Sequence, residues 1–350
     1  MRLPAAAGVA VLLACGVRLS SAQPPPPAAV RDLLRAIAPF SAAELASIER
    51  GEAVARVIDT ERREVAIAGA TRIRAPRERL LARYRDISIL KQSDAVLQIG
   101  PIGRSPTAAD FSPLVFEPYD LDTIRECEPG DCGVRLSTAQ LQRFRTDVNW
   151  AAPDWQQQAG ALWRRLLAEY AAGYLATGAL ADYRNKSEPL NVADEFRVVF
   201  DRSRPVAAAA PAFFAYFEQF PKVQLPGVET ILYWSKDDLG LRPITSITHL
   251  ALYTPPSDSK EPVVIGTRQI YATHYFDAAL GLTLAFADED GGFYMVCLNR
   301  ARTRSLASFT RGIVRGVVVR RSREATEQML RATKRSLEQP PPSRGPAPNF

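Results

Sequence analysis

The chain has 350 residues, of which 47% are hydrophobic and 23% are charged, and its formal net charge is +6. This composition excludes a wholly disordered protein, and the length allows one large domain or two ordinary ones. Because only two histidines are present, an enzyme that relies on histidine must use His249 or His274.

The amino-terminal segment has the pattern of an export signal. Arg2 precedes an apolar run over 5–14, and small residues follow it. We therefore expect a signal peptide over 1–22 and an exported protein, periplasmic or secreted. The alternative is a bacterial lipoprotein anchored at Cys15, because the surrounding residues resemble a lipobox. No later segment is long and apolar enough to span a bilayer.

After this signal the chain divides into a linker, a folded part and a tail. The sequence predicts a Pro-rich linker with a short helix over 23–40, a folded domain over 41–338 and a disordered Pro-rich tail over 339–350. Ser41 and Glu44 have the spacing of a capping box, which predicts a helix that starts there.

Two strands and a helix follow. Residues 54–58 and 65–73 have strand patterns, and in the second the residues from Val65 to Ile73 at odd positions alternate with Ala66, Ala68, Ala70 and Arg72. Pro76 then predicts the start of a helix, because proline suits a first helical turn.

The cysteines indicate one disulfide. Cys127 and Cys132 flank a short loop with proline and glycine, which turns tightly enough to bring them together. We predict that they are bonded, as is typical of exported proteins. Cys297 lies in an apolar run and is expected to be a buried, inert thiol.

The middle of the chain has the spacing of helices. We predict a helical insertion, or cap, over about 136–222 between the early and late strands. Its predicted helices are 137–148, 155–177 and 211–220.

The last third of the chain has strand patterns and then a helical one. Short turns between these strands favour antiparallel neighbours. The final helix is expected over 303–338, with a later start as the alternative if 317–319 form a strand. Gly312 and Gly316 share one face of this helix, which predicts close packing or, as the alternative, room for a ligand. The predicted strands are 229–236, 244–253, 263–276 with a continuation to 287, and 293–299.

Positive charge is concentrated near the carboxyl end. Residues 300–338 contain eleven basic side chains and three acidic ones, so the remainder of the chain is nearly neutral. A solvated helix face is one interpretation, and contact with an anionic membrane surface is another. Export argues against nucleic acid as the partner.

This order of elements resembles the START-like, or SRPBCC, helix-grip superfamily. The resemblance implies an α+β fold in which an antiparallel sheet grips a long carboxyl-terminal helix, here with a helical insertion. It also implies binding of a lipid or another apolar small molecule between sheet and helix, without a cofactor. The residues that carry the resemblance are 64–87, 230–236, 245–253, 269–276 and 323–337.

The candidate ligand-binding residues combine apolar bodies with polar tips. Such side chains suit the wall of a lipid cavity, and ordinary sheet packing accounts for them equally well. We predict no metal site, because two histidines and one carboxylate fall short of a zinc ligand set. The candidates are Tyr233, Trp234, His249, Tyr271, His274 and Tyr275.

Two other functions stay open. His249 and His274 lie in neighbouring predicted strands, so an enzyme acting on a hydrophobic substrate could use them as acid and base if their rings meet. A structural or interaction protein of the cell envelope is the third hypothesis. No serine-nucleophile elbow or phosphate-binding loop is present in the sequence.

Overall fold

The computed structural model describes residues 28–90, 95–128, 130–183, 189–306 and 312–339. The predicted signal peptide, Cys15 and nearly all of the predicted tail lie outside these ranges.

Eight strands form one antiparallel sheet, and two short strands form a separate hairpin. The sheet order is β1-β2-β10-β9-β8-β7-β6-β3, with β4 and β5 in the hairpin. The strands are β1 (Val54–Ile58), β2 (Glu64–Ile73), β3 (Val96–Ile102), β4 (Asp182–Tyr183), β5 (Leu190–Asn191), β6 (Val228–Asp237), β7 (Ile244–Tyr253), β8 (Val263–Ala272), β9 (Ala278–Ala287) and β10 (Phe293–Arg302).

Helices cover both faces of the sheet. Helices α3 and α11 pack on one face, which we call the α11 face. The helices between β3 and β6 (α5 to α10, the helical insertion), together with α1 and α2, pack on the other face, which we call the α7 face. The helices are α1 (Ala28–Ile37), α2 (Ala42–Glu49), α3 (Arg77–Arg85), α4 (Ile87–Leu90), α5 (Pro118–Glu126), α6 (Thr138–Asp147), α7 (Trp155–Thr177), α8 (Val192–Arg202), α9 (Arg204–Ala207), α10 (Pro211–Glu218) and α11 (Gly312–Glu338).

The predicted α+β class, with a large antiparallel sheet and a carboxyl-terminal helix, is confirmed. The capping box at Ser41 and Glu44 is present, and Pro76 is the N-cap of α3. The carboxyl-terminal helix is observed from Gly312, whereas 304–306 form a short 3-10 turn and 307–311 lie outside the described residues.

Strand β2 shows why the sheet requires cover on both sides. All ten of its residues are buried. Val65 and Ile67 pack beneath α11, and Ala68 and Ala70 pack in the core of the α7 face. Side chains of this strand are therefore buried on both faces of the sheet, beneath α11 on one and in the core of the α7 face on the other.

Glycine packing on α11 differs from the expectation. A Cβ at Gly316 would meet no heavy atom within 4 Å, so the predicted close approach at this residue is wrong. The close contact is made by Gly69 of β2 instead. A Cβ there would lie 2.9 Å from Leu330 and 3.1 Å from Thr326, both on α11.

We expect Gly69→Ala to lower the free energy of unfolding by about 1–3 kcal/mol, because the added methyl group overpacks the contact between α11 and β2. Gly316→Ala is the matched control. It should raise the free energy of unfolding by about 0.5–1 kcal/mol, since its methyl group meets open space and alanine favours the helix. Urea denaturation of both variants checks these opposite signs, and equal effects would contradict the packing described.

Candidate ligand-binding cavity

A cavity of about 320 Å³ lies between the sheet and α11. Its floor comes from β8, β9 and β10, where three small or polar residues reduce the bulk of the sheet surface. These are Thr267, Gly281 and Thr283, and Ile265 and Asn299 complete the floor. Because these side chains are short, α11 cannot fill the space above them.

Helices α3 and α11 form the opposite wall. Ala325, Thr326 and Met329 lie on neighbouring turns of α11, and Tyr84 extends from α3. The Thr326 hydroxyl donates to the Ser322 carbonyl at 2.9 Å, so it is satisfied within the helix. The wall therefore combines a flexible thioether and methyl groups with one aromatic ring, a lining suited to irregular apolar shapes.

Among the residues that the structure describes, no charged side chain lines this cavity. Burial raises the pKa of Tyr84 to about 12, so its hydroxyl stays protonated at neutral pH. That hydroxyl hydrogen-bonds to Thr283 on the sheet. Since burying an unpaired charge is costly, the lining favours an uncharged ligand.

The six predicted ligand-binding residues do not form one site. Tyr233 packs in the core of the α11 face, whereas Trp234 lies on the opposite face. The indole nitrogen of Trp234 donates to the Asp110 carbonyl at 2.8 Å. Tyr271 also lies in the core of the α7 face, with its ring 6.0 Å from that of Tyr170. None of the six residues lines the cavity beneath α11.

His249 is enclosed by aromatic side chains of the insertion. Its Nδ1 lies 2.7 Å from the Tyr174 hydroxyl oxygen, and its ring centroid is 4.5 Å from that of Phe220. Burial, followed by the nearby Arg268 cation, lowers the pKa of His249 to about 3. The imidazole is therefore neutral at physiological pH and part of a packed interior.

The two histidines lie apart, which corrects the expectation that their rings meet. His249 is opposite Arg268 in the pairing of β7 with β8. The backbone of Thr273, the neighbour of His274, bonds to Thr245 at the start of β7. Four residues along a strand correspond to about 13 Å, so the pair cannot share one substrate atom.

Several lining residues escaped the sequence analysis. Thr267, Thr283 and Asn299 were missed because they are single polar residues within strands. The sequence feature that could have identified them is a polar residue on a strand face that is otherwise apolar. Thr283 is an example, because it lies two residues before the buried Ala285 on the same face of β9. Reading that signal requires knowing which face each strand presents to α11.

The three cysteines that the structure describes agree with their predicted pairing and burial. Cys127 and Cys132 form a disulfide, which is consistent with an exported protein. Cys297 is buried, and burial raises the pKa of its thiol to about 12. Within the described ranges, no helix is long and apolar enough to cross a membrane. No group of three or more histidine, cysteine, aspartate or glutamate side chains that could hold a metal ion occurs in these ranges.

The basic carboxyl-terminal segment is partly neutralised by ion pairs, some buried and some on the surface of α11. Arg300 and Arg302 are buried and pair with Glu64, while Arg323 and Arg331 both pair with Glu327 along α11. Contact with an anionic membrane therefore stays a prediction that concerns fewer exposed cations than the sequence suggests.

Comparisons with known proteins leave the assignment to the structure itself. No model of a protein family matches the chain, and no curated protein matches its sequence. The cavity between the sheet and α11 is thus the main guide to function.

Proposed function

We propose that the protein is a START-like helix-grip protein that binds an uncharged apolar small molecule in the cavity beneath α11. The order of elements supports this fold assignment. An opening strand, β2, leads into α3 and α4, and the late strands β6 to β10 precede the long helix α11. The helical insertion lies between β3 and β6 and covers the opposite face of the sheet.

The cavity carries the proposal. Its volume of about 320 Å³ falls at the lower end of the range for ligand pockets. It lies between a sheet and a long helix, and its lining has no charge. We propose that the ligand is bound and is not converted by a pair of histidines. His249 and His274 lie in different parts of the molecule, so they cannot act together on one substrate.

Filling the cavity tests the proposal. Ala325 lines the cavity from the exposed side of α11, so Ala325→Trp places an indole in the space without removing a buried contact. We expect the wild-type protein to bind N-phenyl-1-naphthylamine saturably, with increased fluorescence. The variant should bind about tenfold more weakly or worse, because the indole occupies the ligand space.

The matched control is Ala332→Trp, on the same helix at an exposed position outside the lining. Both variants carry the same added surface and the same change in helix propensity. Unchanged binding by the control and lost binding by Ala325→Trp support the proposal. Equal binding by all three proteins would contradict it.

A further inference from the structure

A second and larger cleft, of about 520 Å³, opens at the end of the sheet. It lies where the turn from β8 to β9 meets the disulfide loop and the β4–β5 hairpin. This cleft is separate from the cavity beneath α11, because the two share no lining residue. Its lining carries charge, whereas that of the first cavity does not.

A histidine held by a carboxylate forms part of the cleft wall. The Nε2 atom of His274 lies 2.9 Å from Oδ1 of Asp120, and both side chains are buried. Asp120 comes from α5, so the contact joins the insertion to the β8–β9 turn. A carboxylate in this position fixes the orientation of the imidazole ring, whose edge borders the cleft.

The next residue, Tyr275, has a strained backbone. Its φ is +59°, and it is the one non-glycine residue with positive φ among those that the structure describes. The Phe276 amide donates to the His274 carbonyl at 2.7 Å, which closes a three-residue turn around Tyr275. Backbone bonds on each side, from Thr273 to Thr245 and from Asp277 to Arg302, hold this conformation. Strain of this kind persists where the surroundings enforce it and is common at binding sites.

Arginines outnumber carboxylates behind the turn. The buried carboxylate of Asp277 lies 2.6 Å from Arg135, 3.4 Å from Arg63 and 3.8 Å from Arg304. Arg135 and Arg304 both line the cleft. Arg63 pairs more closely with Glu195, at 2.7 Å. Of the described residues that line the cleft, the charged ones are three arginines, Arg135, Arg242 and Arg304, and two carboxylates, Asp131 and Asp277. This excess of arginine favours anions in a cleft with low-dielectric walls.

The rim of the cleft adds a cation and apolar surface. The guanidinium carbon of Arg242 lies 3.7 Å from the centroid of the Tyr119 ring, which holds the side chain at the opening. The apolar side chains of Leu136 and Leu190 also line the cleft. Apolar lining residues together with a fixed cation suit a ligand that has both an anionic group and an apolar body.

From this geometry we infer that the cleft binds a small organic oxyanion, a carboxylate or a phosphate monoester, that carries an apolar group. Arg242 and His274 are the contacting residues at the opening and on the wall, and Arg135 and Arg304 supply the positive field behind them. Planar guanidinium groups recognise both kinds of oxyanion by paired hydrogen bonds.

Calorimetric titration with three matched probes tests the inference on the full chain. Benzoate and phenyl phosphate present the two oxyanions on the same ring, and benzamide is the uncharged control. We expect saturable binding of at least one anion and none of benzamide. Binding of benzoate alone identifies a carboxylate ligand, and binding of phenyl phosphate alone identifies a phosphate monoester. Absence of binding by both anions would overturn the inference.

Variants distinguish anion binding at this cleft from attraction by the overall positive charge of the protein. Arg242→Gln should weaken anion binding about tenfold, the usual effect of losing a hydrogen bond to a charged group. His274→Gln should also weaken anion binding. Because His274 is buried, this substitution could impair folding, and in that case the variant of the exposed residue Arg242 still tests the inference. Arg320→Gln, at an exposed position of α11 far along the chain, is the control and should bind like wild type. Equal weakening by Arg242→Gln and Arg320→Gln would overturn the inference.

The naphthylamine assay reports on the other cavity, so the two sites are tested separately. Arg242→Gln should leave binding of N-phenyl-1-naphthylamine unchanged, and Ala325→Trp should leave anion binding unchanged. Anion binding that is lost in Ala325→Trp would show that the cleft is not an independent site and would overturn the inference.

Discussion

Glu64→Gln is expected to lower the free energy of unfolding by about 3–5 kcal/mol, because it leaves the buried cation of Arg300 without its carboxylate partner. Glu64 is fully buried at the start of β2. It accepts a hydrogen bond from Arg300 at 2.5 Å and another from Arg202. Arg302 lies 3.5 Å away but pairs more closely with Glu195, and Arg202 also pairs with Glu61, so Arg300 is the cation that relies most on Glu64.

The matched control for this variant is Glu52→Gln. Glu52 pairs with Arg50 at 2.9 Å, but both side chains are more than half exposed. Exposed ion pairs contribute little to stability because solvent screens them, so this change should be nearly neutral. Urea denaturation of the two variants gives the comparison. A loss of similar size in both, or none at Glu64, would show that the buried network does not stabilise the sheet as described.

The second large effect concerns His249 and acid. Its pKa in the folded protein is about 3, and the ordinary value is 6.5. Above pH 6.5 the imidazole is neutral in both states. As the pH falls from 6.5 towards 3, this histidine binds a proton in the unfolded chain but stays neutral in the folded protein. The free energy of unfolding therefore decreases over this interval.

We expect this group alone to remove about 3 kcal/mol of stability between pH 7 and pH 4, at about 1.4 kcal/mol for each pH unit below 6.5. His249→Gln does not titrate, and its amide can still bond to the Tyr174 hydroxyl. Urea denaturation of wild type and variant at pH 7, 5 and 4 isolates the effect, since other groups cancel in the difference. Parallel stability curves for the two proteins would contradict the buried, neutral imidazole.

Much of the fold could be predicted because its elements are periodic and have clear boundaries. Strand β1, strand β7 and helix α7 were predicted with the bounds observed, since each has a regular pattern that ends at turn residues. Strand β3 was missed. It contains Gly100 and Pro101, which argue against a strand in isolation, and both are tolerated because the Trp234 ring packs on Gly100 and β3 is an edge strand.

The candidate site was harder to predict because it depends on which face each strand presents. An irregularity in the pairing of β7 with β8 falls between Ile247 and Thr248, whose partners are Tyr271 and Gln269. The extra residue, Ile270, changes the alternation, and Ile270 and Tyr271 both pack in the core of the α7 face. A sequence shows the period of a strand but not a bulge within it.

The helical insertion is a second reason why the site could not be predicted from the sequence. Aromatic side chains of α7 and α10 take up the face of the sheet that carries His249 and Trp234. Those two residues have the composition of a ligand pocket, yet the space that would hold a ligand is filled by the protein itself. The cavity lies on the other face, where short side chains and α11 meet.

Native mass spectrometry after incubation with fatty alcohols of graded chain length tests the central claim most directly. The cavity beneath α11 predicts a one-to-one complex with wild type, because its volume of about 320 Å³ accommodates one small apolar molecule. The same mixture should give no complex with Ala325→Trp and an unchanged complex with Ala332→Trp. A wild-type protein without adducts, or adducts that persist in Ala325→Trp, would contradict the account.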